Sequence, residues 1–166
     1  MPSLAFKPAP SEAEIAVIAG LAREIWYEYY VPLIGRAQVD YMVARFQSQA
    51  AMYEQVQAGY HYFLVVDGTQ AVGYTAIKEE PAGSLFISKL YLLKAQRGTG
   101  TGRAAMTFIE EWARARGLTR LWLTVNKGNP SVQAYQRLGF RIAEPIVMDI
   151  GGGFVMDDYR MEKVLD

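Results

Sequence analysis

The stretch Gln96-Arg97-Gly98-Thr99-Gly100-Thr101-Gly102 constrains this chain more than any other. Its alternating glycines permit a tight turn and bring bare backbone close to whatever lies beside it. Ahead of it, Leu85-Phe86-Ile87-Ser88-Lys89-Leu90-Tyr91-Leu92 is apolar and aromatic, which predicts a strand. Behind it, Met106, Ile109, Trp112 and Ala113 recur at helical spacing, which predicts a helix over Arg103–Arg116. A strand therefore feeds a glycine loop, and the loop opens a helix. Free N–H groups and the positive end of the dipole at such a helix start suit a phosphate or pyrophosphate. Arg97 adds a cation able to grip phosphate through two hydrogen bonds.

Two common phosphate loops do not fit. A Walker loop places Lys-Ser or Lys-Thr after its last glycine, and neither pair follows here. The dinucleotide fingerprint runs Gly-x-Gly-x-x-Gly near the start of a domain, whereas these glycines alternate and sit past the middle of the chain. A glycine-rich turn without ligand stays open as the plain alternative. Lys plus Arg (17) balances Asp plus Glu (17), so no general field draws the chain to nucleic acid or a membrane surface. The absence of cysteine excludes disulfides, thiolate metal sites and a cysteine nucleophile, and with His61 as the single histidine no metal is expected. Met1–Pro10 lacks the basic and apolar regions of a secretory signal, and no run approaches the ~18–20 apolar residues of a membrane span. A cytoplasmic setting is the expectation.

At 166 residues the chain reads as one domain over 1–166, with no repeat and no linker. Residues 1–10 predict an extended arm or first strand. Ser11 reads as an N-cap, with Ile15, Ile18, Ala22, Ile25 and Tyr29 as the apolar stripe of a first helix that Pro32 ends. A second helical region spans Arg36–Ala58, with a break expected near Gln47-Ser48-Gln49 and a stop at Gly59. His61–Val66, Ala71–Lys78 and Leu85–Leu92 form an antiparallel meander turning at Asp67-Gly68 and Pro81-Ala82-Gly83. Leu121–Val125 follows the helical crossover, so it lies parallel to Leu85–Leu92. A short helix over Ser131–Leu138, a strand from Gly139-Phe140 to Asp149, the Gly151-Gly152-Gly153 loop and a last strand Phe154–Val164 complete the chain. The fold class is α+β: a mixed, mostly antiparallel sheet with one parallel strand-helix-strand crossover at its centre.

Arg97-x-x-Gly100-x-Gly102 after Leu90-Tyr91-Leu92 resembles the acetyl-CoA pyrophosphate loop and cofactor-binding strand of the GNAT N-acetyltransferases. Val125-Asn126-Lys127-x-Asn129 and Ala134-Tyr135-Gln136-Arg137-Leu138-Gly139-Phe140 look like that family's second cofactor motif, though the segment between Asn129 and Tyr135 is one residue short. Ile25-Trp26-x-x-Tyr29-Tyr30, Asp40-Tyr41-Met42 and Asp149 to Tyr159 resemble the bacterial PaiA-type spermidine/spermine acetyltransferase branch. The resemblance implies the GNAT fold with a V-shaped splay between Leu90–Leu92 and Leu123–Asn126, into which the pantetheine arm inserts like an added strand. It implies acetyl-CoA as cofactor, held by Leu90, Tyr91, Leu92, Arg97, Gly98, Thr99, Gly100, Thr101, Gly102, Arg103, Asn126, Asn129 and Tyr135.

Tyr135 is the catalytic candidate. A thiol has a pKa of ~8.5, and a positioned hydroxyl near the sulfur helps the coenzyme A thiolate to leave. Packing beside Phe140 is the alternative role. Backbone N–H near Leu92 is expected to stabilise the oxyanion. For the base, the central strand offers Ser88 and Lys89 but no acid, which leaves Glu28, His61 and Asp157. The acceptor expected is a small amine such as a polyamine, met by Glu28, Trp26, Tyr29 and Asp157. Asp157 and Asp158 must point to opposite faces of a strand; Asp157 shares its face with Tyr159 and Met161 and is expected to be the buried one. Acetylation of a protein N-terminus or lysine, and an acyl-CoA sensor without turnover, stay open as alternatives. So does a homodimer.

Overall fold

The computed structural model describes residues 3–166; the first two residues of the expected N-terminal arm, Met1 and Pro2, lie outside the described residues. The arm forms β1 (Leu4–Pro8). α1 (Glu12–Tyr29) begins where the sequence expects. The Glu14 N–H donates to Ser11 Oγ at 3.2 Å and the Ser11 N–H donates to Glu14 Oε1 at 3.2 Å, a reciprocal cap. Pro32 does more than stop this helix. It sits in the first turn of a single-turn helix, α2 (Val31–Ile34), where its missing N–H costs nothing. The next helical region divides at the expected place into α3 (Arg36–Phe46) and α4 (Gln49–Gln57), the latter capped by Ser48 Oγ accepting from the Ala51 N–H at 3.2 Å.

The strands β2 (His61–Asp67), β3 (Gln70–Glu80), β4 (Ser84–Leu92), β5 (Arg120–Asn126), β6 (Arg141–Gly151) and β7 (Phe154–Val164) join β1 in one sheet, in the order β1-β2-β3-β4-β5-β7-β6. Its one parallel pair is β4–β5, linked by α5 (Thr101–Ala115); every other pairing is antiparallel. The α+β reading therefore holds. The sequence did not place β7, which lies between β5 and β6 because the β6–β7 hairpin docks by its second strand. α6 (Ser131–Arg137) lies between β5 and β6 in the chain. No helix among the described residues is long and apolar enough to cross a membrane.

Helices cover both faces of the sheet and make two cores. On one face α1, α3 and α4 bury Ile15, Ile18, Ile25, Val39 and Met52 against Tyr74 and Ala76. On the other, the stripe of α5 buries Met106, Ile109 and Ala113 against Leu85, Ile87, Leu121 and Met161. Each fully buried large side chain of this kind contributes about 1.5–3 kcal/mol relative to leaving it in water.

β4 serves both cores, and a bulge lets it do so. Ala76 faces Lys89 and Ile77 faces Ile87, so Ser88 is an extra residue opposite β3. Before the bulge Leu85 and Ile87 enter the α5 core; after it, Lys89 and Tyr91 turn to the α1 side and Leu90 to the α5 side. Strands β4 and β5 pair only at Ser84–Arg120, Leu85–Leu121 and Phe86–Trp122. Past that point the sheet is split, where the sequence expected the splay.

Gly73 holds β3 tightly to the far end of β4. A Cβ there would lie 2.5 Å from the Tyr91 carbonyl oxygen and 2.6 Å from Leu92 Cδ2. Gly73→Ala is expected to lower unfolding free energy by about 1–3 kcal/mol through overpacking. Gly20→Ala, in α1 with open space around it, should raise stability by about 0.5–1 kcal/mol. Urea denaturation of both variants checks the pair; equal effects would discount the close approach at Gly73.

Candidate active site

A cavity of about 690 Å³ runs from the glycine loop through the split between β4 and β5 into a chamber beneath α1 and α3. The loop reaches α5 through Gly100, whose φ of +91° only glycine adopts easily, and no side chain caps the helix start. The first N–H groups of α5 are left for solvent or a ligand. Arg97, Gly98 and Gly102 line the cavity. Thr99 and Thr101 instead brace the loop: Thr99 Oγ1 donates to Gln96 O at 2.7 Å and Thr101 Oγ1 to Gln96 Oε1 at 2.9 Å. The Arg103 side chain is exposed.

Leu90, Tyr91 and Leu92 form the β4 edge of the split. The Leu93 N–H donates to Val72 O at 2.9 Å, so strand alternation turns the Leu92 N–H toward the gap. That is a backbone donor of the kind expected for an oxyanion.

The two asparagines have separate jobs. Asn126 Oδ1 accepts from the Gly128 N–H at 2.9 Å and shapes the turn after β5. Asn129, which is buried, accepts from Tyr29 OH at 2.6 Å and from the Ser131 N–H at 2.8 Å, and so ties the start of α6 to α1. Tyr135, on α6, lines the cavity and packs edge-on to Phe140 at 5.7 Å. Burial, helped by the neighbouring Tyr29 hydroxyl, pushes its pKa up to about 12, so it stays protonated throughout the neutral range.

Of the acceptor-side residues, Trp26 and Tyr29 line the chamber as expected. Trp26 stacks on Tyr30 at 4.2 Å and meets Tyr91 edge-on at 5.4 Å, which makes an aromatic wall. Glu28 does not enter the chamber. Its carboxylate grips Arg97 with both oxygens at the rim, where Arg97 also donates to Leu92 O at 3.1 Å and lies 4.5 Å over the Tyr29 ring. His61 is exposed and packs on Trp112 at 5.0 Å, away from the cavity.

The order of the two aspartates is the reverse of expectation. Asp157 is 55% exposed and pairs with Lys127 at 2.8 Å on the outer side, while Asp158 is 3% exposed and lines the cavity. The strand alternation itself holds. The face was misjudged because Tyr159 and Met161 belong to the α5 core, which stops short of Asp157, whereas the more polar face carrying Asp158 is the one the chamber covers. Burial, then the Asp157 charge, pushes the Asp158 pKa up to about 6, against smaller opposing effects of Thr124 and Lys127.

Sequence reasoning also missed Lys89 as a wall of the chamber. It is 4% exposed, and its ammonium donates to Phe46 O at 2.9 Å, Gln55 Oε1 at 3.0 Å and Tyr62 OH at 2.6 Å. Burial pushes its pKa down to about 7. A cation inside an apolar strand was the available signal.

The model of the Acetyltransferase (GNAT) family matches residues 22–140. The chain is 38% identical over 74 residues to streptothricin acetyltransferase of Streptomyces lavendulae, which covers 44% of this chain and 37% of that protein. It is 38% identical over 95 residues to an uncharacterized N-acetyltransferase of Mycobacterium tuberculosis, covering 57% and 60%. The chain thus spans less than two thirds of the length of these relatives. The PaiA N-acetyltransferase of Thermoplasma acidophilum, solved in complex with coenzyme A, superposes with a TM-score of 0.80 over 98% of this chain and 99% of that one, at 17% identity; the likeness is one of fold.

The Lys89 site makes a prediction about stability. Its folded pKa lies below the unfolded value, so between about pH 7 and ~10.5 the unfolded chain binds a proton that the folded one lacks. Stability should therefore rise with pH across that window. Chemical denaturation at pH 7 and pH 9 should show wild type gaining stability and Lys89→Met staying flat. Parallel behaviour of the two proteins would contradict it.

Proposed function

Because the chain belongs to the GNAT acetyltransferase family, we propose that it transfers the acetyl group of acetyl-CoA to a small primary amine by direct attack of the amine nitrogen. Acetyl-CoA supplies the acetyl group as a thioester already activated for attack. One observation carries the reading: a single cavity joins the glycine loop to an aromatic chamber, with Tyr135 on its wall. The residues present fit the cofactor. The uncapped start of α5, with Arg97, Gly98, Thr99, Gly100, Thr101, Gly102 and Arg103, suits the pyrophosphate, and the open β4 edge at Leu90, Tyr91 and Leu92 suits the pantetheine amides. Asn126 and Asn129 shape the opposite wall. Tyr135 holds the proton for the departing sulfur. Its high pKa does not disqualify it, since the same burial makes a thiolate formed beside it more basic.

The chamber favours a small acceptor over a polypeptide. Tyr41 OH donates to Ile150 O at 2.6 Å and Gln38 to Val155 O at 3.0 Å, which ties α3 to the β6–β7 hairpin over the chamber. A polyamine is the finer reading. The aromatic wall of Trp26, Tyr29 and Tyr30 suits an ammonium-bearing chain, and Asp158 can meet one ammonium. Lys89, in the same chamber, disfavours a second ammonium beside it. Asp157 and Glu28, already paired outside, drop out of this role.

Release of coenzyme A thiol, measured across an apolar monoamine, spermidine and a peptide with a free N-terminus, tests the assignment. The expected outcome is release with both small amines and little with the peptide. Release with the peptide alone would overturn the small-amine reading, and no release with spermidine would remove the polyamine alone.

Tyr135→Phe keeps the ring and removes the donor. Turnover should fall by roughly 10²–10⁴-fold with coenzyme A affinity unchanged in calorimetry. Wild-type turnover at saturating substrate would return Tyr135 to a packing role.

A further inference from the structure

The chamber holds a buried carboxylate that the fold leaves without a counter-ion. Asp158 takes part in no ion pair among the described residues. Its neighbouring cations are committed elsewhere, and Lys127 offsets its charge least of the groups acting on it. Lys127 is held by Asp157 at 2.8 Å. Arg160 lies 4.0 Å over the Trp122 ring and binds Glu162 at 3.1 Å. Burying a charge with no ion partner is costly, and such a group either holds a proton or takes a cation from elsewhere. The chamber around it is lined by tyrosines and apolar side chains rather than by cations: Tyr30 from α1 and Tyr91 from β4 feel its charge, Tyr135 from α6 lines the same cavity, and Thr124, whose hydroxyl favours the ionised form, and Asn126 flank it on β5. Lys89 is in the same cavity, but its three protons are all donated to Phe46, Gln55 and Tyr62.

We propose that Asp158 is the proton acceptor for the incoming amine, drawing the substrate's ammonium into the chamber as its missing counter-ion and then taking a proton from it so that the nitrogen can attack. This rests on the acetyl-transfer reading above. The protons balance: the ammonium gives one proton to the Asp158 carboxylate, and the freed lone pair forms the N–C bond to the acetyl carbon. The C–S bond breaks as the sulfur takes the Tyr135 proton. The second proton lost by nitrogen restores the Tyr135 hydroxyl, and Asp158 passes its proton to water. Two titratable groups of one cavity then have their pKa values pushed apart, about 12 for the donor and about 6 for the acceptor, which is the arrangement acid–base chemistry near neutrality requires.

Asp158→Asn keeps the shape and removes the base. With an ordinary alkylamine at pH 7 its turnover should fall by roughly 10²–10⁴-fold, and the residual rate should climb tenfold per pH unit toward the pKa of the amine. With a weakly basic amine that is already neutral at pH 7, the loss should shrink to less than tenfold. A second readout needs no turnover. The folded pKa of Asp158 is raised, so its ionised form is a cost to stability above about pH 6, and the free Asp158→Asn protein should melt higher than wild type at pH 8. A variant with the wild-type pH profile, an equal loss for both amines, or a change confined to KM would overturn the assignment while leaving the enzyme class in place. A wild-type protein that acetylates no amine would remove both.

Discussion

Strands β4 and β5 lie side by side over three residue pairs and then separate, and the rest of the molecule is arranged around that separation. The Phe86 and Trp122 rings, stacked at 4.2 Å, sit at the last paired position, with Trp122 Nε1 donating to Glu80 at 2.7 Å. Beyond them the Ser88 bulge bends β4 and Gly73 draws it against β3. The backbone groups on the free side of β4 are then without strand partners, which a protein tolerates only where water or a ligand meets them. The cavity runs through this gap, so the break in the sheet and the site are one feature.

Two buried charges in the chamber illustrate how differently a fold can treat an ion. Lys89 has its partners built in: the last carbonyl of α3, a carboxamide and a phenol accept its three protons. It binds α3 and α4 to the sheet and has nothing left to offer. Asp158 makes no ion pair, since Lys127 is held by Asp157 and Arg160 by Glu162, and Thr124 and Lys127 offset its burial only in part. A buried charge whose needs are met inside the fold is structural; one left without an ion partner calls for an explanation.

Much of this was legible in the sequence because it is written in local pattern. The glycine loop, the capped start of α1 at Ser11, the break near Ser48 and the parallel crossover each depend on a few adjacent residues and standard chain geometry. What was not legible depends on which face of a strand is covered, and by what. The alternation of Asp157 and Asp158 was correct, yet the choice of the buried one required knowing where the α5 core ends. A lysine inside an apolar strand was a signal at Lys89, but the face it takes was hidden by the bulge, since one extra residue at Ser88 reverses everything after it. The position of β7 inside the sheet is likewise a matter of docking, not of pattern.

The Arg97–Glu28 pair ties two parts of the molecule that are distant in sequence, the glycine loop and the end of α1. The same turns of α1 carry Trp26, Tyr29 and Tyr30, the aromatic wall of the chamber. An anion that drew the guanidinium toward the loop would loosen the hold on α1 where that wall is mounted. Occupancy of the loop and the shape of the chamber then share one free energy, and such coupling is reciprocal: whatever the loop does to the chamber, a molecule settled in the chamber does to the loop. The two ends of the cavity would in this sense be a single cooperative unit, with one ion pair as the hinge between them.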